Sequence, residues 1–367
     1  MTNTIHFTAH PLFRGGHLQT LAGMYLPSRF VPDAATPHRI TLPDGDVVVL
    51  HENRPESWSE TAPTVLLMHG LAGCHQSPYL QRIARKLNDV GVRTFRMDLR
   101  GCGAGAGLAK LPYHAGRSDD ALCCLHYIAE TSPASPLAVA GFSLSGNVVL
   151  KLVGEAADKL PAMLCTAIAV NPPIDLAGCV SRLSSPINRV YDRFFTTHLH
   201  RQILKIAATV SGAPPVPFAR RPSGLWEFDE YFTAPVAGYK NAEHYYRSCS
   251  AAQFLPAIRI PTLILTSADD PLVPASRFET TERSSAVTLN IASSGGHLGY
   301  VSRQNGDPDR RWMDWRVVEW VSQRMKDESE CRVGPSGKAT SLDAVLQIGY
   351  KSGEKHSRSG AHHAASR

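Results

Sequence analysis

Residues 137–147 read LAVAGFSLSGN, and this stretch constrains the fold more than any other part of the chain. A short apolar run predicts a buried strand. The sequence Gly141-Phe142-Ser143-Leu144-Ser145 follows it, and a helical pattern begins at once. A strand that turns directly into a helix must bend sharply, so the positions two before and two after Ser143 must be small. Gly141 and Ser145 satisfy that requirement, and Gly146 relieves crowding further. Such a turn lifts the Ser143 hydroxyl to the end of a sheet at a helix N-terminus, where developing negative charge is favoured. Ser143 is therefore the candidate nucleophile. A serine that merely caps a helix is the competing explanation.

The surrounding chain has the alternation such a turn needs. Apolar runs at Thr64–Met68, 92–97, Leu137–Ala140 and 162–170 predict strands, and helical spacing lies between them at 78–90, 117–131 and 145–157. Alternating strands and helices imply a mainly parallel sheet with helices on both faces. Two short strands joined at Pro43-Asp44-Gly45 precede the run. The rhythm breaks over 176–250, which is rich in aromatic and basic residues and predicts a mostly helical cap inserted over the sheet edge. It resumes with strands at 261–267 and Val287–Ala292 and helices at 275–283 and 311–325. The expected organisation is an irregular segment over 1–35, one α/β domain over 36–327 with its cap, and a polar, disordered tail over 328–367.

A serine hydroxyl is a poor nucleophile until an imidazole takes its proton and a carboxylate orients that imidazole. In a doubly wound sheet these groups are expected just past the carboxyl ends of strands. Strand 261–267 ends in Ala268-Asp269-Asp270-Pro271, and strand Val287–Ala292 ends in Gly295-Gly296-His297. His297 is the candidate base, and Asp269 or Asp270 the candidate acid. The loop His69-Gly70-Leu71-Ala72-Gly73 after the strand at 64–68 offers a backbone N–H to an oxyanion. We assign that role to the N–H groups of Leu71 and Leu144.

Composition narrows the alternatives. The 367 residues are 43% hydrophobic and 19% charged, as expected of an ordinary globular protein. A net charge of +6 without a basic stripe interleaved with aromatics argues against nucleic-acid binding, while remaining compatible with contact to an anionic membrane surface. Eight scattered cysteines with no CxxC pair read as reduced thiols of a cytoplasmic protein. Neither a secretory signal nor a spanning helix is read. His362 and His363 lie in the tail, and His198 and His200 do not share a helix face, so no metal site is expected, nor any organic cofactor. The oligomeric state is not legible.

Several further motifs resemble one family. HLQT at 17–20, HGLAG at 69–73 with SPY at 77–79, LRGCG at 99–103, YHAGRSDD at 113–120 and NPPIDL at 171–176 belong to this set. So do FDEYFTAP at 228–235, YYRSCS at 245–250, SADDPLVP at 267–274 and GGHLGY at 295–300. Together with GFSLSGN they resemble the YheT-type branch of the α/β hydrolases, related to the ABHD esterases and lipases. The family usually carries glycine where this chain has Ser145. The resemblance implies an α/β-hydrolase fold and hydrolysis of apolar or lipid-like carboxylic esters through Ser143, His297 and Asp270. It also implies acyl transfer to an alcohol as an alternative activity. His114 and Asp119 match an H-x4-D pattern linked to acyl transfer in this group, although an aspartate in the first turn of a helix is favoured in any case. A hydrolase-like binding protein without turnover is a third alternative.

Overall fold

A computed structural model describes residues 2–27, 34–304 and 306–333, with side chains described from His6 to Lys326. The strands are β1 (Thr2–Ile5), β2 (Thr36–Thr41), β3 (Val47–Asn53), β4 (Thr64–Met68), β5 (Arg93–Asp98), β6 (Leu137–Phe142), β7 (Leu164–Val170), β8 (Thr262–Ser267) and β9 (Val287–Ala292). They form one sheet in the order β1-β9-β8-β7-β6-β4-β5-β3-β2. Strands β4 to β9 and β1 run parallel, and β2 and β3 are antiparallel at one edge. From β4 the chain moves to β5 on one side, then crosses back so that β6 pairs with the other side of β4. This reversal opens a crevice at the carboxyl ends of β4 and β6, where ligand sites of open α/β sheets form.

Helices α1 (Gly16–Tyr25), α2 (Pro78–Asp89), α3 (Ser118–Thr131), α4 (Leu144–Glu155), α5 (Leu176–Leu183) and α6 (Arg189–Thr209) are followed by α7 (Leu225–Phe228), α8 (Ala234–Val236), α9 (Ala242–Cys249), α10 (Ser276–Thr280) and α11 (Trp312–Val333). Every side chain of β4 is buried, and alternate ones enter different cores. Leu66 and Met68 join the core under α3, α4 and the cap, while Val65 and Leu67 join the core under α2 and α11. A strand buried on both faces needs a continuous apolar run rather than alternation, which is why Thr64–Met68 reads as it does. Helix α2 has the opposite pattern. Leu80, Ile83, Ala84 and Leu87 fall on one face and pack into the second core.

Two polar clusters fasten the layers. Asp314 of α11 is fully buried and accepts bonds from Arg82 Nε at 2.7 Å and Lys86 Nζ at 3.2 Å, both on α2. Asp98, the last residue of β5, accepts from His51 Nε2 at 2.9 Å, His75 Nδ1 at 2.8 Å, and the backbone N–H groups of His75 and Ala104. It thereby ties two loops to the sheet end.

The structure departs from the sequence expectation at the N-terminus. The described part of the segment 1–35 is not irregular throughout. It supplies the edge strand β1 and helix α1. The signal was hidden because α1 buries Gln19, Thr20 and Ala22 while Leu18 and Leu21 are exposed, so its apolar residues do not mark its buried side. Helix α10 is shorter than expected, and α11 continues to Val333; the rest of the expected tail, 334–367, lies outside the described residues. The cap expected over 176–250 corresponds to helices α5 to α9. No described helix is long and apolar enough to cross a membrane. Cys74, Cys102, Cys123, Cys124, Cys165, Cys179 and Cys249 are free thiols.

Two outcomes follow from the clusters. Asp314→Ala removes the buried carboxylate that Arg82 and Lys86 share, and is expected to lower the unfolding free energy in urea by about 3 kcal/mol. For Asp98, burial alone would raise the carboxyl, but the bonds from His51, His75 and the backbone prevail and hold it well below the usual carboxylate range. A depressed carboxyl stabilises the fold above its unfolded pKa of about 3.9 and loses that contribution as pH falls through the folded value. Urea stability of the wild type is therefore expected to fall as pH drops below about 4, and Asp98→Asn to show a shallower acid slope.

Candidate active site

Ser143 stands between β6 and α4 with φ 52° and ψ −120°, a strained conformation for a residue with a side chain. The strain is held by neighbours that leave no room. A Cβ on Gly141 would lie 2.2 Å from the Ser145 carbonyl oxygen, so only glycine fits there. A Cβ on Gly70 would lie 2.9 Å from the Ser143 Cβ, so glycine also lets the loop after β4 approach the elbow. Ser145, where the family usually has glycine, is fully buried and donates its hydroxyl to the His69 carbonyl. That bond ties the elbow to the neighbouring loop.

Ser143, His297 and Asp270 are brought together. The Ser143 Oγ lies 2.7 Å from His297 Nε2, and His297 Nδ1 lies 2.9 Å from Asp270 Oδ2. A proton on Nδ1 faces the carboxylate, which leaves Nε2 as the acceptor for the serine O–H. Asp270 is almost wholly buried. Its Oδ1 accepts from the N–H groups of Leu272 (2.8 Å) and Val273 (3.0 Å), and its Oδ2 also accepts from Asn171 Nδ2 at 2.7 Å. These bonds fix the carboxylate and compensate its charge. Between the two aspartates the geometry distinguishes clearly. Asp270 faces the imidazole, whereas Asp269 accepts the N–H of Gly296 at 2.9 Å and braces the loop that carries His297.

The N–H groups of the loop after β4 divide into bonded and free ones. Gly70 N–H donates to Tyr79 Oη and Ala72 N–H to Tyr113 Oη, each at 2.9 Å. Leu71 N–H, between them, and Leu144 N–H, in the first turn of α4, find no acceptor among the described residues. His69 donates from Nδ1 to the Gly70 carbonyl and accepts the Leu99 N–H at Nε2. Burial pushes its pKa down to about 4, so it stays neutral in this role.

Three supporting residues were not found by sequence reasoning. Thr20 of α1 accepts the His297 N–H at 2.9 Å and donates to Gly16 O. Gln19 bonds both backbone groups of Val301, at 2.7 Å and 3.0 Å. Asn171, with φ 47°, joins Asp270 to the Gly296 carbonyl and receives the Tyr300 hydroxyl. Helix α1 approaches the histidine loop so closely that a Cβ on Gly296 would lie 2.2 Å from Gly16 O. The HLQT and NPP motifs were visible, but their polar residues gain a purpose only once the chain is folded.

An open cavity has Ser143 and His297 in its wall. The rest is largely apolar and comes mostly from the cap, including Leu176, Val180, Leu199, Ile203 and Phe228. His114 and Asp229 are among the polar residues that interrupt it. Burial pushes His114 down to about 3, leaving a neutral imidazole whose Nδ1 accepts the Gly116 N–H. Burial pushes Asp229 up to about 6 against bonds from Thr233 and Tyr246. His114 and Asp119 are not brought together: His114 lines the cavity, while Asp119 is exposed in the first turn of α3.

His51, His75 and Asp98 are clustered closely enough to invite a metal. The imidazole rings stack 3.5 Å apart at 11°, and His51 Nε2 and His75 Nδ1 both reach Asp98 Oδ2, at 2.9 Å and 2.8 Å. Both rings donate to the carboxylate instead.

Comparison with known proteins agrees with this architecture. The family model for the alpha/beta hydrolase fold matches residues 63–303. YheT of Escherichia coli (strain K12) is 30% identical over 86% of this chain and 93% of its own length. The phospholipase ABHD3 of Homo sapiens is 27% identical over 66% of this chain, which spans 60% of that protein. Among solved structures, Est1E from Butyrivibrio proteoclasticus, with ferulic acid bound, superposes with a TM-score of 0.51 at 16% identity over 79% of this chain and 99% of its own, a likeness of fold alone. The matched family, the extent of the YheT likeness and the sheet that carries the serine elbow lead to one conclusion: this chain belongs to the α/β hydrolases and lies on their YheT-type branch.

Proposed function

We propose that the protein is a serine esterase that cleaves carboxylic esters with apolar acyl groups. The observation that carries this reading is the continuous hydrogen-bonded path from Ser143 Oγ through His297 to Asp270, opening on an apolar cavity. Ser143 attacks the ester carbonyl as His297 Nε2 takes its proton, and Asp270 stabilises the imidazolium. The Leu71 and Leu144 N–H groups receive the oxyanion of the tetrahedral intermediate. His297 then protonates the departing alcohol, leaving an acyl group on Ser143. Water, activated by the same imidazole, attacks the acyl-enzyme and releases the acid. The resemblance to proteins with esterase and phospholipase activity in their names supports the same reaction class.

The cavity supports the choice of an apolar acyl group. Its wall is built mainly of aliphatic and aromatic side chains, so each methylene that leaves water for it gains about 0.8 kcal/mol. A chromogenic ester series of increasing acyl length is therefore expected to show kcat/KM rising with chain length until the cavity is filled. Ser143→Ala is expected to lower turnover by about a thousandfold or more. Undiminished turnover in that variant would overturn the assignment of Ser143.

Thr20→Val tests the support of the base. The change keeps the shape but removes the acceptor for the His297 N–H. We expect kcat to fall about tenfold through misplacement of the imidazole, with KM little changed. Equal loss in KM would show that Thr20 acts on the cavity rather than on the base.

A further inference from the structure

Helix α1 is inside out. Its buried side presents Gln19, which is fully buried, with Thr20 and the small residues Ala22 and Gly23. Leu18, Leu21 and Tyr25 fall at i, i+3 and i+7 on the opposite side, with Met24 at their edge. Tyr25 is 71% exposed, and the other three are exposed as well. The buried side is accounted for: it holds His297 through Thr20 and Val301 through Gln19. Nothing in the described structure accounts for the apolar outer side.

The stripe does not stand alone. His17 of α1 stacks on Tyr191 of α6, ring centroids 5.8 Å apart, and their side chains are hydrogen-bonded at 3.1 Å. This contact brings the start of α6 beside α1. There Ile187 and Val190 are 70% and 67% exposed. Two neighbouring segments thus present large apolar side chains to solvent. One of them grips the histidine loop, and the other contributes Phe195, Leu199 and Ile203 to the cavity wall. Clustered exposed apolar residues mark an interaction surface rather than ordinary scatter.

Charge selects the partner. The first acidic residue of the chain is Asp33, so the described N-terminal segment through Pro27 contains none. Helix α6 carries a single carboxylate, Asp192, and it is buried. Arg14, Arg189, Arg193, Arg201 and Lys205 on these segments are exposed. Apolar side chains flanked by cations, without exposed carboxylates on the same segments, complement an anionic lipid surface, where the apolar groups enter the acyl boundary and the cations meet headgroup phosphates. We propose that the outer face of α1 and the start of α6 form a docking surface for an anionic lipid bilayer, holding the cavity against the membrane. The proposal rests on the esterase reading for its benefit, and on the surface alone for its binding.

The test is co-sedimentation of the full chain with vesicles of zwitterionic phospholipid, alone and with an anionic phospholipid mixed in. Turnover of a short water-soluble chromogenic ester is measured in parallel. Wild type is expected to bind the anionic vesicles and to be released as salt rises. The double variants Leu21→Ser/Tyr25→Ser and Ile187→Ser/Val190→Ser are expected to bind at least about tenfold more weakly, because each removes two apolar insertions. Their turnover of the soluble ester is expected to equal that of wild type. Arg189→Ala/Arg193→Ala is expected to reduce the preference for anionic over zwitterionic vesicles. Three results would overturn the proposal: no binding of wild type to anionic vesicles, undiminished binding by both apolar variants, or a dimer in analytical ultracentrifugation that Leu21→Ser/Tyr25→Ser dissolves, which would make a second copy the occupant. Vesicle binding without ester turnover would leave the surface standing and remove the esterase reading; turnover without vesicle binding would do the reverse.

Discussion

The backbone at Ser143 is forced into a region that side-chain-bearing residues avoid, and much of the site depends on the contacts that force it. Gly141 must lack a side chain because the Ser145 carbonyl occupies that space. Gly70 must lack one because the elbow itself occupies it. The Ser145 hydroxyl bonds the carbonyl of His69, so the turn and the loop that would receive the oxyanion are one unit. Strain of this kind, of order 1–3 kcal/mol, persists only where surrounding structure over-determines it. The two packed cores on either face of the sheet supply that constraint.

The second constraint is the placement of His297. Its loop contains two glycines with positive φ, Gly295 and Gly296, and has little intrinsic reason to adopt one shape. Asp269, Thr20, Ser267 and Asn171 each take up one of its backbone groups. The imidazole is thus positioned by residues from four separate parts of the sequence: α1, Asn171, the segment 267–270 and the loop itself. A hydrogen-bonded scaffold of this density restricts the ring to the orientation in which one nitrogen faces the carboxylate and the other the serine. Pre-organisation then avoids the cost of ordering these groups during a reaction.

Helix α1 links this site to the molecular surface. Its polar side is turned inward because the histidine loop offers backbone groups, not apolar contacts, and glycines at 23, 296 and 299 let the two backbones approach, while Gly16 makes room for the Asp269 carbonyl. Its leucines are left outside as a consequence. The same helix therefore braces the base and shows an apolar stripe beside the cap, so any ligand that settles on the stripe settles next to the cavity.

Much of this could be read in the sequence. The all-buried runs at Thr64–Met68 and Leu137–Ala140 predicted parallel strands, and the small residues around Ser143 predicted the elbow. The carboxyl ends of two predicted strands marked an aspartate at 269 or 270 and His297 as the acid and base. These features are local: a tight turn, a buried strand and a loop at a strand end each need particular residues at particular spacings. What sequence could not decide was distributed. Asp269 and Asp270 are identical in chemistry and adjacent, and only the direction of each carboxylate separates the brace from the partner of His297. The segment 1–35 looked irregular because an inside-out helix carries its periodicity on the wrong face. Thr20 and Asn171 gain their roles from partners 277 and 99 residues away. Sequence spacing determines what a turn or a strand can be, because those depend on near neighbours; which buried donor meets which acceptor is decided only when the sheet order brings distant segments together.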